Sequence, residues 1–291
     1  MTTLVIGGTG TVGQDVVRGL LRRDRPVRVL TRSQDHADTL PDGATPVIGD
    51  LEDPSTYDRI FEDVDALFLL NPVSMSELHQ GLAALHEARR VGVDRLVYLS
   101  VHDVEKAADA PHFAAKIGVE RALKDSGLAY TILRPNNFFQ NDHWFADAIL
   151  EHSVYPQPLG TVGLSRVDTR DVARAAVNAL TQPGHDQMTY ALVGPDVLTG
   201  PDCAAVYAEV LEHDVAYGGD DLDAWEAQAR AMLPAWMAYD FRIMYAMFQK
   251  KGLVATDAQL DETRTILGRA PRSFRNFAQE AVEQWKARVS A

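Results

Sequence analysis

Three glycines between a strand signal and a helix signal constrain this chain more than any other feature. Residues 3–6 form a short β-branched and apolar run that predicts a buried strand. Gly7, Gly10 and Gly13 follow at G-x-x-G-x-x-G spacing, and residues 14–23 carry apolar side chains at helical intervals. Such a turn lets the backbone approach a pyrophosphate, which the N–H groups and the dipole of the new helix bind. The sequence therefore predicts a dinucleotide site at the start of a βαβ unit, the alternative being a tight turn without ligand.

Strand and helix signals alternate through the first half of the chain. The further predicted strands span residues 26–30, 45–48, 66–70, 95–99, 128–133 and 189–193. The predicted helices between them span residues 54–61, 113–125 and 169–180, and one more begins at Ser74 or Ser76 and runs to about residue 91. This alternation predicts an α/β fold with a doubly wound, Rossmann-type parallel sheet and helices on both of its faces.

The pattern becomes mainly helical beyond residue 200. Four helices are predicted there, over residues 201–211, 222–232, 234–249 and 274–289. We expect a dinucleotide-binding domain over residues 1–195 and a smaller substrate-side subdomain over 196–291, interleaved with the first rather than cleanly separate.

The charge balance limits the classes of partner. A net charge of 28 − 41 = −13 argues against a nucleic-acid or anionic-membrane surface unless a basic patch exists. The tightest basic cluster, Arg22, Arg23 and Arg25, is interpreted as the solvated end of the first helix. No apolar run approaches the length of a membrane span, and the strand at residue 3 leaves no room for a secretory leader. We expect a cytoplasmic protein that binds a small apolar or aromatic molecule, with a homodimer as one arrangement.

The single cysteine, Cys203, excludes an internal disulfide and any multi-cysteine metal site, so no metal is expected. Two readings of Cys203 remain, a catalytic thiol and a small buried residue on a helix. The second is favoured because free cysteine usually behaves as a small buried hydrophobic residue.

The end of the second strand distinguishes between the two nicotinamide dinucleotides. An acidic residue there would accept from a ribose 2′-hydroxyl and repel a 2′-phosphate. The chain instead reads Thr31, Arg32, Ser33, with no acid before Asp35. A guanidinium can pair with a phosphate through its planar fork. The pattern favours NADP(H) over NAD(H), unless Arg32 is an ordinary solvated loop charge.

An acidic turn, GDLED, follows the third strand. In a doubly wound sheet this turn lies near the adenine pocket, so Asp50 is a candidate acceptor for the adenine amino group. Leu51 is a candidate packing surface for the ring. The alternative reading makes Asp50 an acid at a helix N-terminus.

Together these motifs resemble the NmrA-like family of atypical short-chain dehydrogenase/reductases. The similar stretches are GGTGTVG from Gly7, TRS from Thr31, GDL from Gly49, LLNP from Leu69, VYLS from Val97, residues 113–116 with the VE after them, LRPNNFFQN from Leu133 and the C-terminal GRAPRSFRNFAQE. The resemblance spans nearly the whole chain and implies a dinucleotide-dependent reductase.

In such proteins the loop after the fourth strand and the RP-N segment after the sixth hold the nicotinamide half of the cofactor. Lys116 matches a lysine whose ammonium bridges the nicotinamide ribose hydroxyls, the alternative being a surface helix charge. The cofactor-binding residues expected from the motifs and the resemblance together are Gly7, Thr9, Gly10, Thr11, Val12, Gly13, Thr31, Arg32, Ser33, Asp50, Leu51, Leu70, Asn71, Pro72, Ser100, Lys116, Pro135, Asn136 and Phe138.

The catalytic position departs from the main short-chain dehydrogenase pattern. That pattern places a tyrosine four residues before the lysine, beside a serine after the fifth strand. Here Ser100 is kept, but His112 stands at the tyrosine position. Either His112, with His102 as a second candidate, donates a proton, or His112 is a polar residue at a helix start and the site has no side-chain acid. The catalytic candidates are Lys116, His112 and Ser100.

A reductase without an acid suits an acceptor that stabilises its own reduced anion, such as a quinone. The helix over 234–249 is apolar almost all round, so it either closes the cleft or packs in the core. Phe138, Phe139 and the His143–Trp144 pair are expected at the same end. The sequence predicts an NADP(H)-dependent oxidoreductase acting on a quinone-like or conjugated carbonyl compound. The alternative is a non-catalytic dinucleotide sensor that regulates a partner protein.

Overall fold

Seven parallel strands form the central sheet of this computed structural model, which describes residues 1–289. The sheet order is β3-β2-β1-β4-β5-β6-β8, and β7 and β9 form a separate two-stranded sheet. The strands are β1 Thr3–Ile6, β2 Val27–Thr31, β3 Ala44–Ile48, β4 Ala66–Leu69, β5 Arg95–Leu99, β6 Tyr130–Pro135, β7 Val154–Tyr155, β8 Met188–Leu192 and β9 Ala216–Tyr217. Strands β2 and β3 lie on one side of β1, and the strands from β4 onwards lie on its other side, with all seven parallel. This change in strand order between β1 and β4 confirms the predicted doubly wound α/β fold.

Helices cover both faces of the sheet, with α1 and α7 on one side and α4 and α5 on the other. The helices are α1 Thr11–Leu21, α2 Gln34–Ala37, α3 Tyr57–Phe61, α4 Glu77–Val91, α5 Pro111–Lys124, α6 Ala146–Leu150, α7 Thr169–Thr181, α8 Gly200–Leu211, α9 Leu222–Ala229, α10 Ala235–Lys251, α11 Asp257–Leu267 and α12 Phe274–Val289. Short 3-10 helices span Pro54–Thr56, Val104–Ala107 and Phe139–Phe145. Across residues 1–289, the helices are too short or too polar to cross a membrane.

The central strands are buried on both faces. All residues of β1 and of β4 are buried. Within β1, Leu4 faces the α4 and α5 side whereas Val5 faces the α1 and α7 side. Burial on both faces explains why these strands are continuous apolar runs in the sequence rather than alternating ones.

Helix α11, which the sequence pattern did not predict, covers the edge strand β8. Glu262 accepts a hydrogen bond from the Ala191 backbone N–H at 2.9 Å. The Thr263 hydroxyl accepts from the Val193 N–H at 3.0 Å and donates to the Ala191 carbonyl at 2.9 Å. These bonds satisfy backbone groups that an edge strand would otherwise leave open for pairing with another chain. The chain therefore returns to the sheet after the helical segments.

A buried ion pair holds the helical part of the protein together. Arg166 and Asp142 are fully buried, and Arg166 Nη2 lies 2.7 Å from Asp142 Oδ1. The hydroxyls of Tyr155 and Tyr207 donate to the same carboxylate at 3.3 and 3.0 Å. Removing one partner of such a pair typically costs about 3–5 kcal/mol, because the other charge is left uncompensated.

Cys203 lies beside this ion pair on α8. Its Sγ is 3.5 Å from Arg166 Nη1, and the residue is fully buried. Burial raises the pKa of the thiol to about 11, so the thiol stays protonated at neutral pH. The structure thus confirms the reading of Cys203 as a small buried residue on a helix.

Candidate functional site

The structure brings the predicted site residues together at the carboxyl edge of the sheet. Each group follows a different parallel strand, and ligands of such sheets bind beyond this edge. Gly7 to Gly13 follow β1, and Thr31 to Ser33 lie at the end of β2. Asp50 and Leu51 come shortly after β3, and Leu70 to Pro72 follow β4. Ser100 follows β5, Pro135 ends β6 with Asn136 and Phe138 after it, and His112 and Lys116 lie on α5.

The glycine turn is shaped for close approach of a ligand. Gly7 has a φ of +81°, and a Cβ on Gly13 would lie 2.0 Å from the Gly7 carbonyl oxygen, so neither position accepts a side chain. A Cβ on Gly10 would have its nearest neighbour at 3.5 Å, so the turn is open there. The first backbone bond of α1 runs from Gln14 N to Gly10 O at 2.9 Å, which leaves the N–H groups ahead of it for an anion. This geometry fits a diphosphate.

The end of β2 presents one exposed arginine. Arg32 is exposed, whereas Thr31 is buried and its hydroxyl donates to the Ser33 carbonyl at 3.2 Å. The Ser33 hydroxyl caps α2 by accepting from the His36 N–H at 3.4 Å. Thr31 and Ser33 therefore shape the turn, and Arg32 is the cation that this turn presents to solvent.

The two residues predicted to contact adenine after β3 have different environments: Asp50 lies in the turn, and Leu51 lies in the core. The Asp50 carboxylate accepts from the Glu52 N–H at 2.9 Å, which is a local turn contact. Leu51 is only 3% exposed and packs in the core with Ile60 and Val47. An adenine contact at this turn would therefore come from Asp50 and the backbone rather than from the Leu51 side chain.

Five buried polar side chains at the ends of β4 and β5 have atoms without a hydrogen-bond partner in residues 1–289. They are both polar atoms of Asn71, the Glu77 carboxylate, the Tyr98 hydroxyl, the Ser100 hydroxyl and Nε2 of His102. Burial raises the pKa of the Glu120 carboxyl, but the Arg134 guanidinium, and after it the nearby Ser100 hydroxyl, bring that pKa below its usual value. Ser100 and Glu120 are not aligned as a hydrogen bond. Buried polar groups are normally paired, so this cluster fits the amide and hydroxyl groups of a polar ligand.

Lys116 forms a buried ion pair that the sequence pattern did not predict. Its Nζ lies 2.8 Å from Glu77 Oε1, although the two are not aligned as a hydrogen bond, and both side chains are at least nine-tenths buried. The same ammonium lies 5.9 Å from the centre of the Tyr98 ring. Burial raises the pKa of Tyr98, so its phenol keeps its proton. The alternative reading of Lys116 as a surface charge was wrong.

His112 occupies a buried position one turn before Lys116, on the same face of α5. Its Nδ1 lies 2.6 Å from Asp240 Oδ1, and its backbone N–H donates to Asp240 Oδ2 at 3.1 Å. The Phe241 ring meets the imidazole edge-on at 5.5 Å. Asp240 and Phe241 belong to α10, so this contact joins the helical part of the chain to the site.

Comparison with known proteins decides the family. The sequence profile of the NmrA-like family matches residues 1–278. This chain belongs to the NmrA-like family. An NAD(P)H azoreductase of Xenophilus azovorans is 32% identical over 279 residues, covering 94% of this chain and 96% of the relative. A (4-alkanoyl-5-oxo-2,5-dihydrofuran-3-yl)methyl phosphate reductase of Streptomyces griseus is 33% identical over 282 residues, covering 96% and 98%.

Solved structures agree with the fold of this NmrA-like protein. An NADPH-dependent quinone oxidoreductase of Escherichia coli, complexed with NADPH, superposes with a TM-score of 0.85 at 22% identity, covering 96% of this chain and 99% of that one. A triphenylmethane reductase of Citrobacter sp., complexed with NADP(H), gives a TM-score of 0.84 at 22% identity, covering 97% and 99%.

In this NmrA-like chain, Asn136, which follows β6 and was predicted to bind the cofactor, instead makes hydrogen bonds within the protein. Asn136 Nδ2 contacts His102 Nδ1 at 3.0 Å and donates to the Leu253 carbonyl at 2.7 Å, and Oδ1 accepts from the Asn137 N–H at 2.8 Å. The Asn136 amide is therefore fully used within the protein. Pro135 is buried, whereas Phe138 is half-buried and so is partly open to a ligand.

Two aromatic residues expected at the substrate end pack elsewhere. Phe139 is fully buried against Phe274, with ring centres 5.2 Å apart. His143 Nδ1 accepts from the Trp285 indole N–H at 3.0 Å. The side chains of Phe139 and His143 thus pack against α12 in the core. Trp144, by contrast, is 71% exposed.

Helix α10 is buried along one face and partly open along the rest. Its buried residues are Ala238, Asp240, Tyr245, Met247 and Phe248. Its partly buried apolar residues are Trp236, Met237, Phe241, Ile243 and Met244. The helix thus packs in the core on one side, and its Phe241 ring lies against His112.

Proposed function

We propose that this chain is an NADP(H)-dependent reductase that transfers hydride to a small quinone-like or conjugated carbonyl compound. The observation that carries the proposal is the cluster of buried polar atoms without a hydrogen-bond partner on Asn71, Tyr98 and Ser100, at the ends of β4 and β5. A bound nicotinamide nucleotide brings an amide and ribose hydroxyls that would pair these atoms. The activities for which the relatives are named, those of an azoreductase and of a reductase of a dihydrofuranone phosphate, support the same class of chemistry.

The residues present fit the cofactor. The N-terminus of α1 would hold the diphosphate, and Arg32 would pair with the 2′-phosphate that distinguishes NADPH from NADH. Asn71, Ser100 and Lys116 would hold the nicotinamide half. NADPH, when bound, supplies the hydride. The protein positions the redox ring and keeps water away from it.

Two side chains, those of Lys116 and His112, can stabilise or protonate the oxyanion that forms when the substrate accepts hydride. The Lys116 ammonium, held by Glu77 and 5.9 Å from the Tyr98 ring centre, would stabilise a developing oxyanion. An ionised carboxylate only accepts hydrogen bonds, so Asp240 places the His112 proton on Nδ1. Nε2 then faces away from Asp240, and it can donate a proton to a substrate only when the ring is protonated on both nitrogens. A quinone stabilises its own reduced anion and depends little on this proton.

The walls contributed by α10 favour a flat apolar substrate. Its partly buried side chains include Trp236, Met237 and Phe241. Aromatic and methionine side chains make adaptable surfaces for aromatic ligands. The partly exposed side of α10 is therefore the proposed substrate surface.

Steady-state NADPH oxidation with a panel of quinones, azo dyes and enones tests the proposal. We expect saturable turnover with quinones, and its loss in Lys116→Met. Lys124→Met is the matched control, since Lys124 lies two turns further along the same helix and is 44% exposed. Tight NADPH binding without turnover on any acceptor would contradict the reductase and support the dinucleotide sensor instead.

A further inference from the structure

Six arginines converge on a cleft beside α1 and α7. The cleft has a volume of about 470 Å³, and Gly19, Ala173 and Val177 are among its lining residues. The arginines come from the end of α1, from α7 and from the loop between α11 and α12. They are Arg22, Arg23, Arg170, Arg174, Arg269 and Arg272. The sequence pattern does not show this cluster, because these segments are far apart in the chain.

Three of the six arginines are held in place by carboxylates. Arg269 and Arg272 both pair with the same oxygen of Asp171, whose side chain is 2% exposed. Arg170 pairs with Asp168 at 2.6 Å and also with Glu280. These three arginines face three carboxylates, so their charges balance, and any surplus of positive charge comes from the other three arginines.

The other three have no carboxylate partner among residues 1–289. Arg23 donates to the amide oxygen of Asn178 at 2.6 Å, and Arg174 donates to the Leu267 carbonyl at 2.8 Å. Arg22 is exposed at the end of α1. Asp15, which also lines the cleft, pairs with Arg18 at 3.3 Å. The cleft therefore holds a surplus of positive charge in a chain whose net charge is −13.

The like charges act on one another. Burial, and after it the nearby charges of Arg174 and Arg25, lower the pKa of Arg23. Neighbouring guanidiniums repel, and an anion between them would offset the repulsion. Neutral backbone and amide acceptors hold Arg23 and Arg174 in place without neutralising them.

We propose that this cleft binds a small anion that carries phosphate groups. Guanidinium forks match phosphate oxygens, and converging arginines suit a ligand with several anionic oxygens. The volume falls within the usual range for small-molecule sites, roughly 300–1,000 Å³. A polynucleotide is disfavoured because the net charge of the whole chain would repel its backbone. The cleft shares no residue with the proposed cofactor site.

Isothermal titration of inorganic pyrophosphate into the full chain tests the site. The protein is first saturated with NADP⁺, so that the N-terminus of α1 does not contribute. The variants are Arg22→Gln and Arg174→Gln, which alter exposed side chains, and the control is Arg89→Gln on α4. Citrate and a single-stranded DNA 20-mer are titrated in parallel as a polycarboxylate and a polynucleotide.

We expect one pyrophosphate per chain, with affinity falling about tenfold or more in each variant and unchanged in Arg89→Gln. Binding should weaken as salt rises. The absence of saturable heat, or heat that both variants retain in full, would overturn the proposal. Equal affinity for citrate would overturn the preference for phosphate, and DNA binding that depends on the same arginines would overturn the small-ligand assignment.

Discussion

Asp240 accepts two hydrogen bonds from His112, one from the ring Nδ1–H at 2.6 Å and one from the backbone N–H at 3.1 Å. Helix α5 begins with Pro111 and has no capping side chain of its own, so Asp240 caps it from another helix. The same carboxylate fixes the tautomer of the imidazole. The contact with Asp240 fits both a structural and a catalytic role of His112, and these two roles predict different kinetics.

Comparing a simple enone with a quinone as substrate distinguishes the catalytic role of His112 from the structural one. We predict that His112→Phe lowers kcat on a simple enone by about 100-fold, while kcat on a quinone changes only about threefold. The quinone rate also reports that the site is still folded. His86→Phe, at an exposed position of α4, is the control. An equal effect on both substrates, or none on either, would make His112 a structural residue.

Arg32 is predicted to distinguish the two dinucleotides. Arg32→Glu places a carboxylate against the 2′-phosphate, so KM for NADPH should rise about tenfold or more. KM for NADH should change little, because NADH has no phosphate at that position. Arg89→Glu makes the same charge change on α4 and should alter neither value. An equal rise in KM for NADPH and for NADH would show that Arg32 does not bind the 2′-phosphate.

Glu77 is predicted to act as a positioning residue through Lys116. Glu77→Gln keeps the shape but removes the charge that holds the buried ammonium. We expect the calorimetric Kd for NADPH to rise about tenfold, since the lysine no longer points at the ribose, with KM for the quinone unchanged. Glu77→Asp should recover part of the affinity. Glu62→Gln, at an exposed position, is the control, and unchanged NADPH affinity in Glu77→Gln would refute the role.

The stability of the protein should fall on mild acidification. Burial lowers the pKa of His102, whose side chain is 1% exposed. Above about pH 6.5 this histidine is neutral in both the folded and unfolded states, so its contribution is constant. Below that pH the unfolded state takes up the proton first, so the free energy of unfolding falls, by up to about 1.4 kcal/mol per pH unit.

Urea unfolding at pH 7 and pH 5 measures this effect. His102→Gln should show a smaller loss between the two pH values than the wild type. His86→Gln, in which an exposed histidine is replaced, should show the wild-type loss. An identical loss in all three proteins would assign the acid sensitivity to other groups.

Local pattern was sufficient to predict most of the sheet. Strands β1 and β5 have the predicted bounds, because each is a continuous apolar run between turn residues. Helix α11 was missed because few of its residues are apolar and buried, chiefly Ile266 and Leu267. Its stability comes from hydrogen bonds to β8 and from packing, which no local pattern records.

The parts of the site that were missed depend on pairings between distant residues. The residues of the His112–Asp240 contact are 128 positions apart in the chain. Glu77 looks like an ordinary first-turn acid of α4, and only the fold shows that it meets Lys116 on α5. The Arg22 end of α1 looks solvated until α7 and the loop after α11 are placed beside it. Glycine spacing, by contrast, is a local signal, and it correctly located the turn before α1.

Calorimetric titration of NADPH and NADH into the wild type and Gly10→Ala tests most directly whether the N-terminus of α1 holds a diphosphate. A methyl group at Gly10 has room in the protein but lies in the open part of the turn. We predict one site per chain, tighter for NADPH than for NADH, with both affinities reduced in Gly10→Ala while the unfolding free energy stays within about 1 kcal/mol. No heat with either dinucleotide, or full affinity in Gly10→Ala, would contradict the account.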